Sequence, residues 1–126
     1  MEVSVATRNA SVDAANVLIN GGTLEIRVGA PAAIGSTPTG AVLATFTIAA
    51  TAFGSASAGS ASANAISDVT AGATGTAGHY VAKDSGGNPE RAGVVGVELT
   101  INNASITSGD TVELTSWTFA QPAGSN

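Results

Sequence analysis

Large apolar side chains are so scarce in this chain that any core it forms must be thin. Val, Ile, Leu and Phe together fill 27 of 126 positions, whereas Ala, Gly, Ser and Thr fill 69. That share of large apolar residues lies just above the roughly 20% at which a strongly charged chain stays disordered. Charge is weak, however, with four Lys and Arg against nine Asp and Glu and a formal balance of −5. Self-repulsion therefore does not hold the chain extended. The length suits one domain over 1–126 and is too short for two ordinary ones.

With so few large residues, their spacing carries the fold. Asn9, Asp13, Asn16 and Asn20 recur at four, three and four residues and draw one polar stripe, while Ala10, Ala14, Val17 and Leu18 take another face. This predicts one amphipathic helix over about 7–20. Thr7 or Asn9 can cap its start, and Gly21-Gly22 can turn left-handed at its end.

After Gly22 the period changes to two. Leu24, Ile26 and Val28 share one face of a strand, with Thr23, Glu25 and Arg27 on the other. The same alternation sets Val42, Ala44, Phe46 and Ile48 against Leu43, Thr45 and Thr47, and sets Val95, Val97, Leu99 and Ile101 against Gly96, Glu98 and Thr100. Val112 and Leu114 differ in parity from Trp117 and Phe119, which requires either two covered faces or a bulge near Thr115-Ser116. Turn signals at 31–40, 84–89, 102–103 and 108–110 separate these runs. The expectation is a mostly β chain: an antiparallel β-sandwich or jelly-roll-like barrel over about 23–120, one N-terminal helix, and a short surface tail at 121–126. The stretch 49–65, nearly all Ala, Ser, Gly and Thr, reads as a surface strand pair or long loop pinned by Phe53.

Composition also excludes partners. Four cations without a cluster cannot neutralise a run of phosphates, so nucleic acid is not expected. No apolar run approaches the roughly 18 residues of a membrane span, and the N-terminus lacks a signal-peptide pattern, so a soluble, unsecreted chain is expected. Without cysteine there is no disulfide, thiol nucleophile or zinc-thiolate site. The single histidine, His79, reads as a bystander on a strand. The loop Asp84-Ser-Gly-Gly-Asn-Pro-Glu90 gathers oxygen ligands but places Gly where a calcium hand needs carboxylates, and it reads as a hairpin turn. The glycines of 72–78 have no following Lys or helix and do not make a phosphate loop. Asn9 and Asn103 satisfy the glycosylation sequon but read as a helix cap and a turn. No catalytic residue, cofactor or metal is expected.

The order of features resembles a group of small proteins of tailed bacteriophages and prophages, in which an Arg-Asn-Ala-x-x-Asp-Ala helix precedes a Gly-x-Leu-x-Ile strand. Here these are Arg8-Asn9-Ala10 with Asp13-Ala14, and Gly22-Thr-Leu24-Glu-Ile26. Pro31-Ala32, Leu43-Ala44-Thr45-Phe46, Ala52-Phe53-Gly54, Ala73-Thr74-Gly75-Thr76-Ala77, Asp84-Ser85-x-Gly87 and Ile106-Thr-Ser-Gly109-Asp-Thr-Val112 follow in the same order, closed by Thr115-Ser116-Trp117-Thr118-Phe119 and Pro122-Ala123. The chain departs from that pattern at Arg27, where such proteins tend to carry an aromatic, and at Trp117, which replaces Phe.

The resemblance implies a non-enzymatic virion structural protein, most simply a capsid cement or decoration protein. Such a protein is assembled in the host cytoplasm, sits on the capsid surface, binds the major capsid protein lattice and self-associates into a symmetric oligomer. A tail, baseplate or head-fibre adaptor is the alternative, and a carbohydrate-binding β-sandwich module using Trp117 is a more distant one. Pro31, Ile34 and Phe53, apolar groups in polar stretches, are the candidate interface residues; the competing reading is that they plug the ends of the sandwich.

Overall fold

The computed structural model describes residues 4–33 and 37–120. Ile34 and the tail 121–126 lie outside the described residues. Among the described residues one helix, α1 (Val5–Val17), precedes ten strands: β1 (Thr23–Val28), β2 (Val42–Thr47), β3 (Ser60–Ser62), β4 (Val69–Thr70), β5 (Gly75–Lys83), β6 (Pro89–Val94), β7 (Leu99–Ile101), β8 (Ser105–Ile106), β9 (Thr111–Val112) and β10 (Leu114–Ala120). The larger sheet runs β2-β1-β5-β6 with β8 on the end of β5; the smaller runs β3-β10-β7, and β4 pairs with β9. Every pairing between these strands is antiparallel. The fold is mostly β and sandwich-like, with open sheets rather than a closed barrel.

The alternation in β1 sets the register of the larger sheet. Leu24 faces Phe46 and Ala82, and Ile26 faces Ala44 and Tyr80, so one face delivers a continuous apolar layer. Trp117, Leu99 and Ala61 of the smaller sheet join the same buried cluster, as do Val12 of the helix and Ile19 just after it. The parity break before Trp117 is resolved by a register shift between Leu114 and Ser116, which buries both Val112 and Trp117.

Three expectations are corrected. The helix begins earlier and ends earlier than 7–20, because Ser4 is its N-cap and accepts the Thr7 N–H at 3.2 Å, while after Val17 the bonding tightens to i→i−3 and Gly21 turns left-handed (φ +69°). Leu43, expected outward with Thr45 and Thr47, is buried: Gly72 donates to its carbonyl, and Gly75 lies against its side chain, so that part of β2 is covered on both faces. The run expected as one strand from Val95 to Ile101 is broken by a turn at Gly96, whose φ of +101° suits glycine, leaving Val97 74% exposed.

Small residues also let backbones approach. A Cβ on Gly78 would collide with the Gly29 backbone, whereas one on Gly72 would meet nothing within 4 Å. Gly78→Ala is therefore expected to destabilise the protein by about 2–4 kcal/mol and Gly72→Ala by less than about 0.5 kcal/mol. Urea unfolding of the two variants checks this; equal stabilities would contradict the close approach.

Candidate interaction site

The helix docks through its polar stripe. Asn9 Oδ1 accepts the Gly59 N–H at 2.8 Å, Asp13 Oδ1 accepts the Ala56 N–H at 2.9 Å, and Asn20 Oδ1, just past the helix, accepts the Ala52 N–H at 2.8 Å. Asn16, fourth member of the stripe, is only 4% exposed, and its amide nitrogen and oxygen are both buried without a hydrogen-bond partner. The physical reason lies in the segment being held. Ala, Ser and Gly offer little side chain to bury, so 51–59 is fixed chiefly through its backbone donors, and those donors need acceptors. Asn9 is thus committed to Gly59 instead of capping the helix, and Asn103 does form the expected turn, accepting the Ser105 N–H at 3.0 Å.

With the side-chain oxygens of Asn9, Asp13 and Asn20 engaged by the 52–59 backbone, other parts of the helix surface stay outside. Val17 is 62% and Leu18 57% exposed, and Val5, Ala10 and Ala14 are exposed as well. An amphipathic helix ordinarily buries its apolar face, and here only Val12, with Ile19 after the helix, does so among its large apolar residues.

Beneath the held segment lies an aromatic cluster. Phe53 is 6% exposed and meets Trp117 edge-on with ring centroids 4.8 Å apart; Tyr80 meets Trp117 at 5.9 Å. The Arg91 guanidinium sits 4.0 Å from the Phe119 ring centroid and 5.5 Å from that of Phe53, and donates to the Ala15 carbonyl at 3.2 Å. Arg91 therefore ties β6 to the end of α1, a role that a lone Arg in Pro-Glu-Arg-Ala-Gly does not advertise. Burial lowers its pKa from the ordinary value against the opposing pull of Tyr80 and Glu98, and burial with the Glu98 charge raises that of Tyr80. The Trp117 Nε1 has no acceptor in hydrogen-bond geometry, although the indole lies close enough to favour the ionised Tyr80 phenol. At 2% exposure Trp117 belongs to the core.

The other sequence candidates fall elsewhere. Pro31 is half-buried in the β1–β2 connection, and Phe53 belongs to the helix side of the core. His79 is buried on β5, and its Nδ1 bonds the Gly29 carbonyl at 2.8 Å, so that nitrogen carries the proton. Asp84 Oδ1 accepts the N–H groups of Gly86 and Asn88, each at 2.9 Å, which makes the 84–90 loop a hairpin turn built on its own aspartate. Hydrogen bonds led by that of the Asn88 N–H lower the Asp84 pKa, and the shared contact with Asp84 raises that of Glu90. Among the described residues no three His, Cys, Asp or Glu side chains gather as a metal site, and no helix is long and apolar enough to cross a membrane.

Cations are engaged rather than displayed. Glu25 pairs with Arg27 at 2.7 Å and Lys83 at 3.2 Å, and Arg27 also donates to the Gly40 carbonyl. With Arg91 on its aromatic rings, three of the four Lys and Arg are tied up within the protein, and the outward charge is dominated by carboxylates. No family model, characterised protein or solved structure matches this chain.

Two expectations follow from these contacts. Asp13→Ala and Asn20→Ala each remove an acceptor from a backbone N–H and are expected to cost about 1–2 kcal/mol in urea unfolding, against near-zero for Ala14→Ser on the outer face. Burial pushes the Glu25 carboxyl up, but its bonds to Arg27 and Lys83 prevail and hold it below its ordinary 4.5. Its contribution to stability is therefore present above about 4.5 and is lost as pH falls through the lower folded value. Melting temperature should drop more steeply below that pH in the native protein than in Glu25→Gln; identical pH profiles would contradict the ion triad.

Proposed function

We propose that this protein is a non-enzymatic structural subunit of a tailed-phage-type particle, a cement or decoration protein that binds the major capsid protein lattice and stabilises the head. The observation that carries this reading is the outward apolar face of α1, with Val17 and Leu18 more than half exposed on an element whose polar side is spent on its own protein. The colinear motifs from Arg8-Asn9-Ala10 to Trp117-Thr118-Phe119 favour a virion partner over other protein surfaces.

A docked helix face of Ala, Val and Leu loses little side-chain entropy on binding, and a lattice repeats the contact many times. The acidic balance of −5, with most cations engaged, suits a capsid surface that surrounds an apolar patch with basic side chains. Self-association into a symmetric oligomer would place several helix faces on one capsomer join.

The test is attachment to particles. Leu18→Asp and Val17→Asp, on exposed positions, should leave the melting temperature within a few degrees of the native protein and reduce the chain retained on purified particles by tenfold or more. Particles lacking the chain should lose resistance to heat and osmotic shock, and a mass-spectrometric count should give hundreds of copies per particle. A few tens of copies would instead indicate a tail, baseplate or fibre position, and unchanged retention of both variants would overturn the helix as the docking face.

A further inference from the structure

Asn20-Gly21 is the one Asn-Gly step in the chain; the other asparagines with a following residue precede Ala, Val, Asn or Pro. A glycine in that place leaves its backbone nitrogen unscreened by any Cβ, so the nitrogen can close a small ring on the asparagine Cγ. Gly21 is exposed, has a φ of +69°, and has open space where a Cβ would stand. Water therefore reaches this step.

The two reacting groups are held in opposite senses. The Asn20 Oδ1 accepts the Ala52 N–H at 2.8 Å, which polarises the amide carbon and supplies a donor for the negative oxygen of a tetrahedral intermediate. Among the described residues its Nδ2 donates to no protein acceptor, so no hydrogen bond retains the leaving nitrogen. The nucleophile is restrained instead. The Gly21 N–H donates to the Ala49 carbonyl at 2.9 Å, and beside it the Ile48 N–H donates to the Gly22 carbonyl at 2.9 Å. These bonds extend the β1–β2 pairing past Thr23 and keep the Gly21 proton on its nitrogen. Attack on Cγ waits on their opening.

We infer that Asn20-Gly21 is a deamidation site gated by the docking of 48–59 onto the end of α1 and the start of β1. On opening, base takes the Gly21 N–H proton, and the nitrogen attacks the Asn20 Cγ. The Cγ–Nδ2 bond breaks, and the departing nitrogen takes a proton and leaves as ammonia. Water then opens the succinimide, so asparagine and water become an acidic residue and ammonia, with no oxidant or reductant. Opening at the side-chain carbonyl gives aspartate, which keeps an oxygen for the Ala52 N–H. Opening at the main-chain carbonyl gives isoaspartate, which routes the backbone through the former side chain, adds one carbon to it and displaces the acceptor from Ala52. The modification thus undoes one of the bonds that seat the Phe53 stretch, whatever partner the outer face of α1 meets.

The experiment ages the whole protein in mildly alkaline buffer, both folded and in concentrated urea, and maps deamidated peptides by mass spectrometry. In urea Asn20 should be modified ahead of every other asparagine, with isoaspartate exceeding aspartate. In the folded protein its rate should be lower by tenfold or more. Asp13→Ala, which removes the acceptor of the Ala56 N–H, should raise the folded rate by about fivefold or more and leave the urea rate unchanged. Another asparagine modified first in urea would overturn the site. Equal rates folded and unfolded, or equal folded rates in native protein and Asp13→Ala, would overturn the gate. The purified isoaspartyl form should melt below Asn20→Asp, which keeps the acceptor; equal melting temperatures would overturn the release of Ala52.

Discussion

The fold depends on a set of hydrogen bonds in which helix side chains accept from a backbone with little side chain of its own. Asn9, Asp13 and Asn20 take the N–H groups of Gly59, Ala56 and Ala52, and so fix a stretch that composition alone would leave as a flexible linker. Fixing that stretch seats Phe53 on Trp117 and leads the chain into β3, which pairs with β10. Arg91 closes the arrangement from beneath by joining the Ala15 carbonyl to the faces of Phe53 and Phe119. In a chain with few large hydrophobes, backbone donors and one buried cation take over part of the work that apolar area does elsewhere.

The same bonds determine what faces outward. A helix whose polar stripe is used internally must present its remaining face, and here that face carries Ala10, Ala14, Val17 and Leu18 together with Thr7 and Ser11. The small-residue composition thus has two consequences from one cause: it calls for acceptors from the helix, and it thereby turns an apolar surface toward possible partners.

What the sequence made legible follows the range of the interactions involved. Period-two alternation in 23–28 is readable because strand pairing with 42–47 and 75–83 buries one face, and of the two readings of the parity break before Trp117, two covered faces or a bulge, the register shift between Leu114 and Ser116 matches the bulge. The helix was readable as an element, but its orientation was not, because an Asn stripe looks solvent-facing until its acceptors are matched to donors more than thirty residues away. Leu43 and Val97 were misplaced for related reasons: one is covered by a distant loop, the other is released by a turn at Gly96. Of the interface candidates, Phe53 is in the core, while Arg91, which ties β6 to the end of α1, carries no local signal that separates it from an ordinary surface residue.

The central claim, that α1 docks by its polar stripe, is tested most directly by amide hydrogen exchange at Ala52, Ala56 and Gly59. If their N–H groups are held by Asn20, Asp13 and Asn9, all three exchange far more slowly than those of exposed Thr51 and Ser55, for which no acceptor is present among the described residues. Exchange of the three at the rate of those neighbours would contradict the docking, and with it the outward placement of Val17 and Leu18.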